Sequence, residues 1–320
     1  MVSLASLITS TAREAGPAPR LSILVPTFDR DVRSLCRELL SDIAALPDPR
    51  AAELLVLIDG NPALKDQEEV VAEAETAGLA AGLFPSRVNL GRAEARNALA
   101  RLARGQFLLF LDADSLPDAP GFVARALEAA VDPAVVVCGG RTGKRMAPAS
   151  SDALLFEAHS RRREWIPAEE RNHDPAGNFL SANFMVGRDL FQSHPFDQNF
   201  KGWGWEDTEW ALRVGSAARI RHVDNSVSHM EHHRDADWLL RLERSVLNYQ
   251  RLYVLHPESV QRHRLFPLIR LLRPIGGWGA ARQLLRYLAL THALPPRYRL
   301  MLLKFYQAMI YSSVRTSQPG

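Results

Sequence analysis

Residues Gln106–Ser115 read QFLLFLDADS. Phe107 to Leu111 is a short apolar run suited to a buried strand, and it stops at two carboxylates one residue apart, Asp112 and Asp114. In an open α/β sheet the ligand lies beyond the carboxyl ends of the strands, so both carboxylates are expected at the mouth of a crevice. Alternate residues of a strand share a face, and both side chains can reach one hard cation, Mg²⁺ or Mn²⁺, that would neutralise a diphosphate. The competing reading is a turn before Pro117, which Asp favours.

Outward from this strand, apolar runs alternate with helical patterns. Leu21 to Val25, Glu53 to Ile58, Gly82 to Pro85 and Ala134 to Cys138 read as further strands. Val32 to Leu46, Gln67 to Ala77, Gly91 to Arg104 and Gly121 to Ala130 have helical spacing. Strand–helix alternation predicts an α/β fold with a Rossmann-like sheet flanked by helices. No GxGxxG follows the first strand, which disfavours a dinucleotide-dependent dehydrogenase.

Asp29, Asp59, Asp112 and Asp114 all follow or end strands, which puts four carboxylates on one rim. An ionised Asp59 can accept a uracil imide N–H or a ribose hydroxyl. Each is also an ordinary cap or turn former. Arg96 can offer its guanidinium to phosphate, or lie on a solvated helix face with Arg92 and Glu94.

Downstream, Asn178 to Val186 reads as a strand. Gly202-Trp203-Gly204-Trp205 then leads into Glu206-Asp207 and a helix from Thr208 to Arg213. The helix dipole accounts for one acid at that start, not for two tryptophans among glycines. Glycine admits close approach of backbone to ligand, and an indole face is a platform for a sugar. Trp203 and Trp205 are therefore acceptor-platform candidates, with a core anchor as the alternative. After a strand at Ala218 to Val223 come His229, Met230, Glu231, His232 and His233. No Cys pair or HExxH accompanies them, so a separate zinc site is not indicated.

These pieces together resemble the inverting glycosyltransferases of the family 2 type with a GT-A fold. The resemblance rests on LSILVPTFDR, LLVLIDGN, NLGRAEARNALARLARGQFLLFLDADSLPD and FDQNFKGWGWEDTEWALRVG, and covers roughly Leu21 to His233. It implies a nucleoside held by Pro26, Thr27, Asp29 and Asp59, a diphosphate near Arg96, and a donor and divalent metal on Asp112 and Asp114. His229, with His232 as second choice, would complete the coordination of Mn²⁺ or Mg²⁺. Asp207 would be the catalytic base, with Glu206 orienting the acceptor hydroxyl. The implied reaction moves a sugar, most often from a UDP-sugar, to a glycan or lipid-linked acceptor in cell-envelope or exopolysaccharide synthesis. Two departures bear on specificity. The second strand ends Ile-Asp-Gly-Asn where many members have Asp-Asp-Gly-Ser, and Trp205 stands where several have glycine. A sugar-nucleotide pyrophosphorylase would carry a Gly-rich basic loop after the first strand, and Pro26-Thr27-Phe28-Asp29 is not one. A non-catalytic carbohydrate-binding protein would not need Asp59, Asp114 and Asp207 together.

At 320 residues and 47% hydrophobic content the chain can bury a full core. Cys36 and Cys138 read as reduced core residues in a cytoplasmic protein. Residues 1–20 make a poor signal peptide and read as a flexible arm. No apolar stretch reaches the ~18 residues of a membrane span. Trp238 to Gly320 holds 13 Lys or Arg against Glu243 and Glu258, so a net charge of +11 sits behind a body of −8. We place a boundary near residue 236, between a GT-A domain over 21–236 and a basic helical extension over 237–320. Helical spacing recurs at Trp238 to Leu255, Leu265 to Leu272, Ala280 to Leu290 and Arg297 to Tyr311. Single arginines among Leu, Phe, Trp and Tyr suit a helix in lipid headgroups. That predicts attachment to the anionic inner face of the plasma membrane, each surface-close Arg contributing about 1 kcal/mol. The alternative is a helical cap packed on the sheet. Nucleic acid is not expected, since no nucleic-acid module accompanies the charge.

Overall fold

The computed structural model describes residues 17–64, 66–273 and 279–313. The expected arm therefore lies outside the described residues up to residue 16, as do Pro274 to Gly277 between the expected helices Leu265 to Leu272 and Ala280 to Leu290.

Six of the predicted strands form as read, β1 (Leu21–Thr27), β2 (Ala52–Ile58), β3 (Ala81–Pro85), β4 (Phe107–Leu111), β6 (Val135–Cys138) and, at the expected Ala218 to Val223, β9 (Arg219–His222). With β8 (Asn183–Gly187) they make a seven-stranded sheet in the order β3-β2-β1-β4-β8-β6-β9. All pairs are parallel except those of β8, which runs antiparallel to both β4 and β6. β2 and β4 are buried along their whole length, because helices cover both faces of the sheet.

The period-two alternation of the strands decides which helix each side chain meets. Ile23, Val25, Leu54, Val56 and Leu109 pack with α1 (Arg33–Ala44), α2 (Glu68–Thr76) and α4 (Phe122–Ala129). Leu24, Leu55, Leu57, Leu108 and Phe110 face the other way. They pack with α3 (Arg92–Leu102), α7 (Arg188–Ser193) and α8 (Glu206–Val214). Cys36 and Cys138 are free and buried in these two layers.

Three segments depart from the sequence reading. The strand expected at Asn178 to Val186 begins only at Asn183, because Asn178 donates its N–H to Asp174 and closes a turn. The helix expected over Trp238 to Leu255 is two, α9 (Asp235–Arg244) and α10 (Val246–Leu255), meeting at Ser245. His229 follows the strand expected at Ala218 to Val223, as read, but it also ends a short strand of its own that the sequence reading did not anticipate. β5 (Ser115–Pro117), β10 (Val227–His229) and β7 (Arg141–Thr142) form a small second sheet in which His229 pairs opposite Ser115.

A third apolar cluster joins α5 (Leu154–Arg163), α9, α10 and Phe200 to α11 (Pro257–Arg262), α12 (Phe266–Leu272), α13 (Gly279–Leu290) and α14 (Pro296–Ser312). Arg299, one of the tail's cations, is buried here with its Nη2 2.6 Å from Asp235 Oδ2. Asp235 Oδ1 in turn accepts the N–H groups of Leu155 and Phe156 at the start of α5. Among the described residues no helix is long and apolar enough to cross a membrane.

Candidate active site

The ends of β1, β2 and β4 open onto one cleft of about 490 Å³, lined by Pro26, Thr27, Asp29, Asp59, Arg96, Asp112 and Asp114. Its parts are held differently. Thr27 Oγ1 donates to the Arg30 carbonyl at 2.8 Å and so shapes the loop after β1. Asp29 is exposed beside Arg30. Asp59 is buried, and its two carboxylate oxygens accept the Leu90 and Gly91 N–H groups at 2.5 and 3.0 Å, which fixes the loop leading into α3. Burial raises its pKa, and these two bonds partly offset the rise. Arg96 is buried and gives its Nη2 to Asp112 Oδ1 at 2.6 Å, so it orients Asp112.

Asp114 is brought to His229 by the second sheet. The Met230 N–H donates to the Asp114 carbonyl at 2.8 Å, and His229 Nε2 lies 3.0 Å from Asp114 Oδ2. Arg141 Nη2 donates to the other oxygen at 3.2 Å. Burial works against the charge on Asp114, but Arg141, His229 and Arg92 outweigh it and hold the carboxyl well below its usual range. His229 Nδ1 is enclosed, with no hydrogen-bond partner among the described residues. His232 is directed elsewhere, with Nε2 2.7 Å from the Ala147 carbonyl.

A second cavity of about 600 Å³ contains Glu206 and Asp207, and Asp112, Arg92 and Trp203 line both spaces. Asp207, in the first turn of α8, accepts the Thr208 N–H at 2.8 Å. Burial first, and then the neighbouring Glu206 carboxylate, push it up to about 7. Glu206 is buried, with Oε1 3.5 Å from Arg92 Nη1 and Oε2 without a partner among the described residues. The loop before α8 turns through positive φ at Gly202, Gly204 and also Trp205, at +74°. That conformation is unfavourable for a bulky residue. The indole holds it by packing on Tyr249 and Tyr311, with Nε1 donating to Tyr311 Oη at 3.2 Å.

Sequence reasoning passed over four arginines. Arg92 stands where the two cavities meet, with its side chain still 45% exposed. Arg141 follows the Gly139-Gly140 pair beyond β6, and its position just past a strand end was the available signal. Arg241 and Arg244, counted in the basic tail, line the first cleft from α9 together with His233. Nothing in their own spacing distinguishes them from other tail arginines.

Known proteins share both sequence and fold with this chain. Validoxylamine A glucosyltransferase of Streptomyces hygroscopicus subsp. limoneus is 28% identical over 228 residues, 61% of this chain and 48% of the relative, so the match spans about half of that protein. The mannosyltransferase PcManGT from Pyrobaculum calidifontis, solved with GDP-Man and Mn²⁺, superposes with a TM-score of 0.57 at 20% identity, over 93% of this chain and 88% of that one. GalNAc-T7 with UDP, GalNAc and Mn²⁺ gives 0.50 at 15% identity, over 78% and 53%. These likenesses establish the GT-A type of sheet. The model of Glycosyl transferase family 2 matches residues 22–190, from the first strand past the antiparallel β8 and more than half the chain. The chain accordingly belongs to Glycosyl transferase family 2.

Proposed function

We propose that this chain transfers a sugar from a nucleoside diphosphate sugar to a hydroxyl by single displacement with inversion. The observation that carries the reading is the meeting of two cavities at Asp112, Arg92 and Trp203, with Asp114 on one side and Asp207 on the other. A donor in the first cleft would present its anomeric carbon to an acceptor in the second. The name of the glucosyltransferase relative, and the nucleotides and Mn²⁺ held by solved structures of this fold, support it.

In this reading Asp59 keeps the Asn89–Gly91 loop in place against the nucleoside. Arg92, Arg241 and Arg244 give the diphosphate side of the cleft positive charge, and Arg141 adds to it through its ion pair with Asp114. Asp207, with a pKa near neutrality, accepts the proton of the attacking hydroxyl, and Glu206 orients that hydroxyl. Trp203 forms the wall between donor and acceptor. Trp205 holds the loop in place through its packing.

The residues also fit a divalent cation. Among the described residues no three ligating side chains cluster. Asp114 and His229, side by side and with one His229 nitrogen unpartnered, suit a hard cation that takes one or two protein ligands and completes its shell with diphosphate oxygens and water. Asp112 lies beside them on Arg96. When bound, Mn²⁺ or Mg²⁺ would neutralise charge developing on the leaving diphosphate.

The test is incubation with UDP- and GDP-sugars and Mn²⁺, following donor hydrolysis and the anomeric configuration of any product. Donor turnover abolished by Asp114→Asn is expected. Retention of configuration, or no turnover with any donor, would overturn the proposal.

A further inference from the structure

The cavity beside Asp207 is lined by seven Arg or Lys side chains and four carboxylates. Three of those carboxylates already have an arginine: Asp112 has Arg96, Glu164 has Arg141 and Glu206 has Arg92. The fourth, Asp207, is the proposed base. Arg297, at the start of α14, lies over the Tyr298 ring and donates to its hydroxyl at 3.1 Å. Left over are Arg162 and Arg163 at the end of α5, Arg264 in the turn between α11 and α12, and Lys304 on α14. Among the described residues none of these four has a carboxylate within ion-pair distance. Lys304 Nζ donates only to Gln307 Oε1, at 3.1 Å.

The helix dipole favours arginine at the last turn of α5, but it does not explain this arrangement. Arg161, in the same turn, does what a surface arginine does: it pairs with Glu157 and lies over Trp165. Its two neighbours instead join cations from two other elements across the cavity. Their fields oppose one another. Burial, and then Arg163 and Arg162, push Lys304 down to about 8, and Arg163 is held below its ordinary value by burial, Arg264 and Arg162. Arg162, Arg163 and Arg264 are exposed and Lys304 half-buried, so water screens their repulsion but no carboxylate cancels it, and an anion would relieve it. Arginine forks match phosphate oxygens in particular, and a dianion answers such a cluster better than one carboxylate. None of the four lines the donor cleft, so the cluster is distinct from the cations that face the donor.

We propose that Arg162, Arg163, Arg264 and Lys304 form a subsite for a phosphoryl group on the acceptor, set apart from the hydroxyl that Asp207 deprotonates. This rests on reading the second cavity as the acceptor side. Two sources share the chemistry: a soluble phosphate ester, and a lipid phosphate entering past the exposed Met301 and Phe305 at the cavity wall.

The experiment is calorimetric titration of the full chain, its donor cleft first saturated with UDP or GDP and Mn²⁺. One arm adds inorganic phosphate or glycerol 3-phosphate. The other measures sedimentation with phosphatidylcholine vesicles with and without phosphatidic acid. We expect phosphate-dependent binding in one arm, which identifies the source. Arg163→Ala/Arg264→Ala should weaken it by about tenfold or more, and Lys304→Gln should do so independently. Melting temperature and nucleotide affinity report that each variant is folded with its donor cleft intact. Nucleotide binding without any cluster-dependent phosphate binding overturns this inference alone. Failure of the native chain to bind either nucleotide overturns the functional reading and this inference with it.

Discussion

The sharpest consequence of the site concerns Asp207. Burial and the adjacent Glu206 put its pKa at about 7, so the base should lose its charge across the physiological range. Its ionised fraction falls from about nine-tenths at pH 8 to about one-tenth at pH 6, and kcat/KM should fall about tenfold over that interval. Glu206→Gln removes the second cause but leaves the larger one, burial, so the acidic limb should move down without reaching the ordinary carboxylate value. Asp207→Asn should cost about 10²- to 10⁴-fold in turnover with nucleotide affinity unchanged. The sign of the stability effect is opposite. A carboxyl whose folded pKa is raised contributes stability that is present below its unfolded pKa of 3.8 and lost as pH rises through about 7. Asp207→Asn should therefore melt no higher than the native protein near pH 4 and measurably higher at pH 8. The assays are a pH series of donor turnover and thermal melts in the same buffers. A rate profile flat from pH 8 to pH 6, or an asparagine variant within tenfold of native turnover, would refute the assignment.

Further consequences follow from particular contacts. Arg299→Ala leaves Asp235 buried without its counter-charge and should cost about 3–5 kcal/mol in chemical denaturation, with a deficit that narrows as acid protonates Asp235, whose folded pKa is raised by burial; a loss under 1 kcal/mol would mean the pair is not enclosed. Trp205→Gly relieves about 1 kcal/mol of backbone strain but removes an indole packed on two tyrosines, so a net loss of roughly 2–3 kcal/mol is expected, and a stabilised variant would contradict the packing. Asp59→Asn keeps one acceptor for the two N–H groups of Leu90 and Gly91, and should weaken nucleotide binding measured by calorimetry while lowering the melting temperature only slightly; unchanged affinity would remove Asp59 from the nucleoside site. Exposed Leu271, Leu284 and Tyr287 keep the proposed attachment to an anionic leaflet open to test: Leu271→Asp/Leu284→Asp should abolish flotation with acidic liposomes, and equal flotation of native and variant chains would count against it.

The strands β1 to β4 and β6, the helices between them and the carboxylates at their ends were legible in the sequence because each depends on local chemistry. A buried parallel strand needs an unbroken apolar run, and an Asp placed where that run stops can only lie at the rim. Likewise the GWGWED segment declared a turn and a helix start by its own composition. That His229 lies against Asp114 was implied by the family resemblance alone, and no local pattern could show it. That contact depends on β10 pairing with β5 across more than a hundred residues, and three-residue strands carry too little pattern to predict register. Nor could such a pattern divide the basic tail. Arg241 and Arg244 in the first cleft, Arg299 on a buried carboxylate, and Arg264 and Lys304 on the wall of the cavity that holds Asp207 look alike in one dimension. Their surroundings come from α9 to α14 folding back onto α5 and the loop before α8. Local sequence determined which residues bear charge and which elements they ride on; the tertiary structure alone decided which charges find a partner, because a salt bridge or an unmatched cation depends on what distant segments bring near it.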